Sequence, residues 1–325
     1  MSKRIQLSRT GGPEVLELVD VSPVDPGPGE VRVKNEAIGL NFIDIYVRTG
    51  LYPVPSLPSG LGTEGAGVVD AVGEGVTHLR EGDRVAYAQG PQGAYAHYHN
   101  LPADKLVLLP DAVSFETAAA CMLKGLTTQY LMRQTYPLKG GETILWHAAA
   151  GGVGSIACQW ARALGVRLIG TVSSSEKAEL ARSNGAWEII DYSREDVVER
   201  VRELTDGAMC DVVYDSVGKD TWETSLDCLK PRSLMVSFGN ASGAVEGVNL
   251  GILNQKGSLF VTRPSLNGYA DTRERLETMA SDLFAMLESG QVKIDIAQRY
   301  PLAAAGEAQR ALAERRTTGS TILLP

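Results

Sequence analysis

The chain has 325 residues, of which 22% are charged and 44% are hydrophobic, and its formal net charge is −8. These values are ordinary for a soluble globular protein, and the length favours two domains over one. The negative charge argues against an extended nucleic-acid surface, because such surfaces need clustered Lys and Arg to neutralise phosphate groups. The sequence also lacks an apolar run of about 18 residues, so we expect no membrane-spanning helix.

Four cysteines are scattered along the chain without a close pair, namely Cys121, Cys158, Cys210 and Cys228. Such scattering is typical of reduced thiols in a reducing compartment. The first residues carry no apolar segment of the kind that a signal peptide needs, so the sequence predicts a cytoplasmic protein.

The first part of the chain, to about residue 125, contains short apolar runs separated by Gly, Pro and Asp. The strands predicted there are Glu30–Lys34, Gly67–Val72, Asp83–Tyr87 and Lys105–Leu109. Many short strands with turn residues between them indicate an irregular β-barrel.

From about Phe115 the apolar residues take a helical period, and strands then alternate with helices. The strands predicted in this part are Thr143–Trp146, Val166–Val172, Trp187–Asp191, Asp211–Asp215, Ser233–Phe238 and Gly257–Thr262. This alternation predicts a parallel sheet with right-handed crossovers.

Polar residues predict where the helices of this region begin. Ser173 and Glu176 have the spacing of a capping box, which predicts a helix that ends near Gly185. Ser193 is predicted to cap the next helix, which ends at Leu204. Two more helices are predicted, at about Trp222–Leu229 and at about Thr272–Ser289, and the sequence predicts no helix after the second of them. A short strand is predicted at the end of the chain, at Thr321–Leu324.

The corner after the first strand of this region is the most informative segment. It reads Ala148-x-x-Gly151-x-x-Gly154 and begins a helical pattern. Small residues there let the backbone approach a ligand, and the free N–H groups of the new helix favour negative charge. The pattern predicts a dinucleotide site, and the alternative is a glycine-rich turn that serves packing alone. The residues predicted to contact the pyrophosphate are Ala150, Gly151, Gly152 and Val153.

The end of the second strand of this region bears on the choice of dinucleotide. An NAD site usually has an acidic residue there, whereas this chain has Ser173, followed by Lys177. A serine hydroxyl and a lysine can bind a 2′-phosphate, and Tyr192 can cover the same pocket, which favours NADPH over NADH. Helix capping is the alternative for Ser173 and an exposed helix charge is the alternative for Lys177, and the adjacent Glu176 argues against a phosphate.

Two further motifs lie in the first part of the chain, the glycine-rich run Gly60–Gly73 and the turn Gly82–Val85. Both are similar to the barrel of the medium-chain dehydrogenase/reductase superfamily. Zinc alcohol dehydrogenases of that superfamily carry Cys where this chain has Asn41 and His where it has Thr63, and neither replacement is a usual zinc ligand. Their four-cysteine zinc lobe has no counterpart here, so the resemblance implies an enzyme without a metal.

The chain more closely resembles the zinc-independent quinone oxidoreductase branch, and this resemblance spans essentially its whole length. The segments that carry it are residues 141–162, Asn41–Tyr46, Gly50–Pro53, Val213–Gly218 and Ser237–Asn240. The resemblance implies an α/β fold in which residues 1–125 and 263–325 form a GroES-like β-barrel domain. Residues 126–262 then form a Rossmann domain with a doubly wound parallel sheet.

The resemblance also implies NADPH as the cofactor and adds contacts to it. The added contact residues are Asn41, Thr127, Tyr130, Ser216, Phe238, Asn240, Arg263, Ser265 and Arg315. Arg316 is an alternative to Arg315, and a solvated helix end is the alternative for both.

The activity that the resemblance implies is that of an NADPH:quinone oxidoreductase. A quinone is reactive enough to accept a hydride without a Lewis acid, so the protein needs to position it and to supply hydrogen-bond donors to its oxygen. The candidate catalytic residues are Asn41, Tyr46 and Tyr52. The two tyrosines are candidate donors because a phenol keeps its proton at neutral pH. Amphipathic packing is the alternative for the two tyrosines.

Two other functions remain open. A reductase of α,β-unsaturated aldehydes or ketones would use the same cofactor, and a non-enzymatic structural or RNA-binding role belongs to a different class. The net charge of −8 and the lack of an aromatic–basic motif weigh against RNA. The segment Leu250–Thr262 ends in a predicted edge strand, which favours a homodimer, and an edge covered by its own loop is the alternative.

Overall fold

The computed structural model describes residues 2–325, which divide into two compact units. The first unit comprises the residues up to Leu126 together with Ala270–Glu288 and Ile294–Pro325, and the second comprises Thr127–Tyr269 and Ser289–Lys293. Residues 263–269 and 289–293, which the sequence analysis assigned to the barrel, lie in the second unit, and residue 126, which it assigned to the Rossmann domain, lies in the first.

The strands range in length from two residues to eleven. In chain order they are β1 (Ser2–Leu7), β2 (Leu16–Val21), β3 (Glu30–Leu40), β4 (Ser59–Gly60), β5 (Gly65–Val72), β6 (Arg84–Tyr87), β7 (Tyr98–Pro102), β8 (Val107–Leu108), β9 (Thr143–Trp146), β10 (Arg167–Val172), β11 (Glu188–Asp191), β12 (Cys210–Asp215), β13 (Leu229–Ser237), β14 (Phe260–Thr262), β15 (Ile296–Pro301) and β16 (Ser320–Leu324).

The helices follow the same numbering. They are α1 (Phe42–Thr49), α2 (Phe115–Tyr130), α3 (Gly152–Leu164), α4 (Ser175–Ser183), α5 (Val197–Leu204), α6 (Trp222–Asp227), α7 (Gly251–Gln255), α8 (Leu266–Tyr269), α9 (Arg273–Glu288) and α10 (Ala305–Ala313). Single turns of 3-10 helix occur at Pro13–Val15, Ala103–Lys105 and Leu302–Ala304, and a π-helical turn, Leu131–Thr135, extends α2. No helix within residues 2–325 combines the length and the apolar character needed to cross a membrane.

The first unit is built on a sheet with the order β15-β16-β3-β5-β6-β8, in which β7 also pairs with β3. A smaller sheet has the order β2-β1-β4. The long strand β3 alternates buried and more exposed residues, and the buried Val31 and Val33 join Leu323 of β16 in the core. The C-terminal strand β16 pairs antiparallel with β3, so the end of the chain returns to the sheet of the first unit.

The second unit contains a six-stranded parallel sheet with the order β11-β10-β9-β12-β13-β14. This is the usual order of a dinucleotide-binding doubly wound sheet, with β9 and β12 adjacent at the switch point. The middle of this sheet is apolar, and Leu145, Ile169 and Val213 are fully buried in its core. The structure confirms the predicted α/β fold with its barrel and its parallel sheet.

Two predicted helix caps are wrong by a few residues. Ser174, rather than Ser173, caps α4 and accepts the backbone N–H of Lys177 at 3.3 Å. Asp196, rather than Ser193, caps α5, because the helix begins at Val197 and the Asp196 side chain accepts the N–H of Glu199, whereas Ser193 lies three residues earlier and donates its hydroxyl to Asp191 at 2.7 Å.

Three element predictions are also corrected. The predicted strand at residues 105–109 is reduced to Val107–Leu108, because Ala103–Lys105 forms a 3-10 turn. The strand predicted at Glu30–Lys34 continues to Leu40. The helix predicted at about residues 272–289 is present as α9 but is not the last helix, since α10 follows it.

Candidate active site

The second unit carries its predicted nucleotide residues at one edge of the parallel sheet. At least one predicted nucleotide residue follows each of the strands β9 to β14 within a few positions. Because the strands are parallel, their carboxyl ends all lie at the same edge of the sheet. In strand order these residues are Ala150 to Val153, Ser173 and Lys177, Tyr192, Ser216, Phe238 and Asn240, and Arg263 and Ser265. The structure therefore brings together residues that the sequence spreads over more than a hundred positions.

The corner between β9 and α3 is tightly packed. Ala148 has a φ of 57°, in the left-handed region that favours glycine, and its carbonyl oxygen accepts the N–H of Gly151 at 2.9 Å. A Cβ atom on Gly154 would lie 2.5 Å from that oxygen and 2.7 Å from the backbone of Ala149, so α3 approaches β9 this closely only with glycine there. The buried hydroxyl of Ser155 has no hydrogen-bond partner among residues 2–325.

A relay of hydrogen bonds supports the corner and was not predicted from the sequence. Nδ1 of His147 lies 3.0 Å from the hydroxyl of Thr171, and Nε2 lies 3.0 Å from the hydroxyl of Ser225, which donates to Asp215 at 2.6 Å. Because Ser225 gives its one proton to the carboxylate, Nε2 of His147 must be the donor and Nδ1 the acceptor. Burial lowers the pKa of His147, although Asp215 opposes this, which favours the neutral ring that the relay requires.

Asp215 also fixes the loop after β12. Its Oδ1 atom accepts the backbone N–H groups of Val217 and Gly218 at 2.7 and 2.9 Å. A Cβ atom on Gly239 of the next loop would collide with the backbone of Ser216. The loops after β12 and β13 therefore lie in contact at the sheet edge, with the predicted residue Ser216 held between a carboxylate-anchored turn and a glycine.

The residues predicted to bind a 2′-phosphate lie around the start of α4. Since Ser174 caps the helix, capping does not explain Ser173, which follows β10 directly. Lys177 lies in the first turn of α4, where the helix dipole adds partial positive charge, and Tyr192 is exposed just after β11. Glu176 is exposed beside them and is the one acidic residue of that first turn.

Tyr130 lies at the end of α2 and is buried against a residue that was not predicted. Its ring stacks on Tyr269, with the ring centroids 4.7 Å apart and the planes 13° apart. The Tyr269 hydroxyl accepts a hydrogen bond from Thr135 at 2.8 Å. Burial raises the pKa of Tyr130, against the hydrogen bond to Thr127 that lowers it, so the Tyr130 hydroxyl keeps its proton.

Phe238 and Arg263 are anchored at the sheet edge by their own contacts. The Phe238 ring packs against Trp146, with 5.5 Å between the ring centroids. Arg263 donates through Nη1 to the hydroxyl of Ser237 at 3.1 Å and to the carbonyl of Gly239 at 2.9 Å. Both side chains therefore help to hold the ends of β13 and β14 in place.

In the first unit, Asn41 is the N-cap of α1 and is held at its backbone and at its side chain. Its N–H donates to Oδ2 of Asp44 at 2.9 Å, and the same oxygen accepts the hydroxyl of Tyr95 at 2.8 Å. Its Nδ2 atom donates to Oε2 of Glu64 at 2.6 Å. Burial raises the pKa of Asp44 to about 7, although the hydrogen bonds from Asn41 and Tyr95 lower it.

Glu64 is completely buried, just before β5, and accepts from three donors. Besides Asn41, these are the backbone N–H of Leu123 at 2.7 Å and Nζ of Lys124 at 3.4 Å. The Lys124 side chain is only 8% exposed. A Cβ atom on Gly39 would collide with the Glu64 carboxylate, so the strand that faces Glu64 leaves space for it.

The candidate catalytic residues Tyr46 and Tyr52 lie next to each other. Their rings meet edge to face with 5.3 Å between the centroids, and the N–H of Tyr52 donates to the carbonyl of Tyr46 at 3.0 Å. Both residues are half-buried. Elsewhere in the first unit, Arg315 and Arg316 are both exposed after α10, and Arg316 pairs with Glu314 at 2.7 Å.

The four cysteines are free and buried. Burial raises the pKa of Cys158 and of Cys210 to about 12, and it raises the pKa values of Cys121 and Cys228 as well. Within residues 2–325, His, Cys, Asp and Glu side chains form no group of three that could hold a metal ion.

Sequence reasoning missed Glu64, Lys124, His147 and Asp215. Two of them carried a weak signal, since Glu64 is a charged residue inside a glycine-rich run and Asp215 ends an apolar strand. Charged residues in such places are buried only when they are paired or hydrogen-bonded. Their partners lie 60 residues away for Glu64 with Lys124 and 78 residues away for His147 with Ser225, so spacing alone does not reveal them.

Comparison with known proteins matches both parts of the chain. Residues 27–111 match the family described as alcohol dehydrogenase GroES-like domain, and residues 152–285 match the family described as zinc-binding dehydrogenase. A quinone oxidoreductase of Pseudomonas aeruginosa is 69% identical over 325 residues, which covers all of both chains. A 2-haloacrylate reductase of a Burkholderia species is 43% identical and covers 98% of each chain.

The solved structures give the same result. The crystal structure of Escherichia coli quinone oxidoreductase complexed with NADPH has a TM-score of 0.98 to this chain at 60% identity. The match covers 99% of this chain and 100% of that one.

Proposed function

Because the chain belongs to the quinone oxidoreductase family of the medium-chain dehydrogenase/reductase superfamily, we propose that it reduces quinones with NADPH. The observation that carries the proposal is the carboxyl edge of the parallel sheet, where predicted nucleotide residues follow all six strands. The balanced reaction converts a quinone, NADPH and one proton into a hydroquinone and NADP⁺.

The residues of the second unit fit a dinucleotide. Gly154 permits the close approach of α3, whose first N–H groups have no partner within the helix and bind a pyrophosphate well. The unpartnered hydroxyl of Ser155 adds a donor in the same turn. We assign the pyrophosphate to Ala150, Gly151, Gly152 and Val153, and the remaining contacts to Thr127, Tyr130, Ser216, Phe238, Asn240, Arg263, Ser265, Asn41 and Arg315.

The 2′-phosphate is assigned to Ser173, Lys177 and Tyr192. The absence of a carboxylate at the end of β10 removes the group that would bind a free ribose hydroxyl and repel a phosphate. The positive end of α4 and the ammonium group of Lys177 favour the doubly charged group. The capping role of Ser174 leaves Ser173 for this task.

Bound NADPH supplies the hydride, and the chain positions the acceptor and stabilises the oxygen on which negative charge develops. We assign the donor role to Tyr46 and Tyr52, whose rings contact each other and whose phenol groups can donate a hydrogen bond to an oxygen. The quinone needs no Lewis acid, because its reduction forms an aromatic ring. We therefore propose a zinc-independent reaction, which the amide of Asn41 bonded to Glu64 supports, since an amide nitrogen is not a zinc ligand.

We further propose that the protein is a homodimer joined at β14, the outer strand of the parallel sheet. Phe260 of that strand is 62% exposed and the nearby Leu250 is 75% exposed, so the edge offers apolar side chains as well as unpaired backbone groups. A second copy would cover both at once. A cytoplasmic location is proposed on the strength of the four unpaired thiols.

The second candidate function is the reduction of an activated carbon–carbon double bond. One observation favours it, the 43% identity to a protein named 2-haloacrylate reductase. The same cofactor residues serve both reactions, so the acceptor has to be determined by turnover.

The experiment that tests the proposal is a panel of acceptors with NADPH and with NADH, run before and after exhaustive treatment with a chelator. We expect NADPH oxidation with 1,4-benzoquinone to be faster than with an enal or a haloacrylate, and to survive chelation. Equal or faster turnover of the alkenes would favour the second candidate. Activity that is lost on chelation and restored by Zn²⁺ would contradict the zinc-independent reaction.

A further inference from the structure

The amide of Asn41 has one orientation that its partner permits. A carboxylate accepts hydrogen bonds and donates none, so the 2.6 Å contact with Oε2 of Glu64 must be made by Nδ2 of Asn41. Turning the amide over would place its Oδ1 atom against the carboxylate, with two acceptors facing each other. The neighbouring backbone is fixed as well, since the N–H of Asn41 donates to Asp44 at 2.9 Å.

Glu64 is itself held in place. The N–H of Leu123 and the ammonium group of Lys124 bind it from α2, at 2.7 and 3.4 Å, and the missing side chain of Gly39 leaves the space that its carboxylate fills. All of these contacts are in the interior, where water does not compete and an unpaired carboxylate would be costly. The pair Glu64–Lys124 is therefore a rigid support for the Asn41 amide.

This support also changes what Asn41 can bind. An amide that donates to a carboxylate is polarised, which makes its oxygen a better acceptor and its other N–H a weaker donor. A quinone has no N–H or O–H group to offer an acceptor. NADPH has both, in its ribose hydroxyls and its carboxamide.

We infer that Glu64 is a positioning residue that makes Asn41 a hydrogen-bond acceptor for the cofactor, through Oδ1, rather than a donor to the quinone. This inference rests on the proposed function. It leaves the quinone oxygen to Tyr46 and Tyr52, and it adds Glu64 and Lys124 to the residues on which cofactor binding depends.

The test compares NADPH dissociation constants, measured by fluorescence titration without quinone, for Asn41→Ala, Glu64→Gln and the double variant. Asp211→Asn is the matched control, because Asp211 also binds a lysine, Lys230 at 2.6 Å, and a backbone N–H, that of Thr143 at 2.9 Å. These contacts lie at the starts of β9 and β12, at the opposite end of the strands from the glycine corner. Glu64→Asp keeps the negative charge but moves the carboxylate away from Asn41, because its side chain is one methylene shorter. It replaces Glu64→Gln in the test if that variant does not fold.

Asn41→Ala should raise the dissociation constant about 3- to 10-fold, the effect of losing one neutral hydrogen bond. Glu64→Gln should raise it at least as much, because its amide can donate to Oδ1 of Asn41 and turn the Asn41 amide over. The double variant should bind no more weakly than Asn41→Ala, since Glu64 acts through Asn41. The KM for the quinone should change by less than about 2-fold, and Asp211→Asn should lower the melting temperature without weakening NADPH binding.

Additive effects in the double variant, or an equal weakening by Asp211→Asn, would overturn the positioning role. A rise in the quinone KM with an unchanged NADPH dissociation constant for Asn41→Ala would make Asn41 a donor to the substrate. Because binding is measured without quinone, a wild-type protein that binds NADPH but reduces no quinone would overturn the proposed substrate and leave this inference to be decided by the titrations.

Discussion

Nε2 of His147 lies 3.0 Å from the hydroxyl oxygen of Ser225, and 78 residues separate the two in the chain. This contact joins the end of β9 to α6 and, through Asp215, to the loop after β12. Every proton of the relay has a definite acceptor, so the loops at the nucleotide edge are supported by a polar network that tolerates few changes.

Replacing Ser225 by Ala should therefore destabilise the fold and weaken NADPH binding. The change leaves Nε2–H of His147 without an acceptor in the core, which costs about 1–3 kcal/mol in the free energy of unfolding. Ser183→Ala is the control, because its exposed hydroxyl makes one local bond, to the carbonyl of Leu180. Chemical denaturation measures the free energy of unfolding of both variants, and a fluorescence titration measures their NADPH binding. If the two variants were equally stable, the relay would not be important for the fold.

Lys177→Ala should raise the KM for NADPH by about 10-fold or more, in line with the loss of a charged hydrogen bond, and should leave the KM for NADH nearly unchanged. Lys139→Ala is the control, since Lys139 is an exposed lysine that precedes β9, at the other end of the sheet. Steady-state kinetics with both cofactors is the measurement. An equal effect on NADPH and NADH would remove Lys177 from the phosphate site.

Asp44→Asn should change how stability depends on pH. The pKa of Asp44 is raised from 3.8 to about 7, so the folded protein holds this proton more tightly than the unfolded chain. Its contribution to stability is then complete below about pH 3.8 and is lost as the pH rises through about 7. The variant keeps the contacts with Asn41 and Tyr95 through its amide oxygen.

The measurement is the difference in unfolding free energy between wild type and Asp44→Asn, from about pH 4 to pH 8. We expect the wild type to lose a few kcal/mol relative to the variant over this range, because each pKa unit corresponds to about 1.4 kcal/mol. Burial lowers the pKa of His99 to about 4, but His99 titrates in both proteins and cancels in the difference. If the difference in unfolding free energy did not change between about pH 4 and pH 8, the pKa of Asp44 would not be raised by burial.

Gly154→Ala should disrupt the glycine corner, because the added Cβ atom would lie 2.5 Å from the carbonyl oxygen of Ala148. The expected result is a loss of NADPH binding by at least about 10-fold, together with a lower melting temperature. Gly268→Ala is the control, since a Cβ atom on this helical glycine of α8 would come no closer than 3.7 Å to Ser265. That variant should be at least as stable as the wild type.

Phe260→Glu should convert the proposed dimer into monomers, because it places a charge in the apolar strip that a second copy would cover. Leu108→Glu is the control, since Leu108 is similarly exposed, at 56%, on a strand of the first unit. Sedimentation velocity distinguishes the two states. A wild-type protein that sediments as a monomer at micromolar concentration would contradict the dimer.

The sequence was sufficient for the parts of the molecule that depend on local pattern. The change from short strands to alternating strands and helices predicts the barrel and the parallel sheet, and the structure confirms both. Ser173, Tyr192 and Ser216 each follow a strand of that parallel sheet and therefore lie at its carboxyl edge, although Ser216 was suggested only by the resemblance and the roles of all three stay predictions. The resemblance to a known family supplied the cofactor and the acceptor.

The remainder depends on contacts between distant residues. Helix α1 has only eight residues and is set by the hydrogen bonds of its N-cap, Asn41, rather than by a long apolar period. The N-cap of α5 is Asp196, because the helix begins at Val197, and Ser193 belongs to the turn after β11, where its hydroxyl donates to Asp191. The partners of Glu64 come from two other elements, so neither its burial nor its role is visible in the order of residues.

The burial of the four cysteines has a chemical consequence for an enzyme of this kind. Quinones are electrophiles that alkylate thiolates, and so they inactivate many proteins with exposed cysteines. Here every thiol is buried and its pKa is raised, to about 12 for Cys158 and Cys210, so hardly any thiolate exists at neutral pH. The cysteines of this chain therefore offer a quinone little thiolate to alkylate, and we expect them to remain unmodified during turnover.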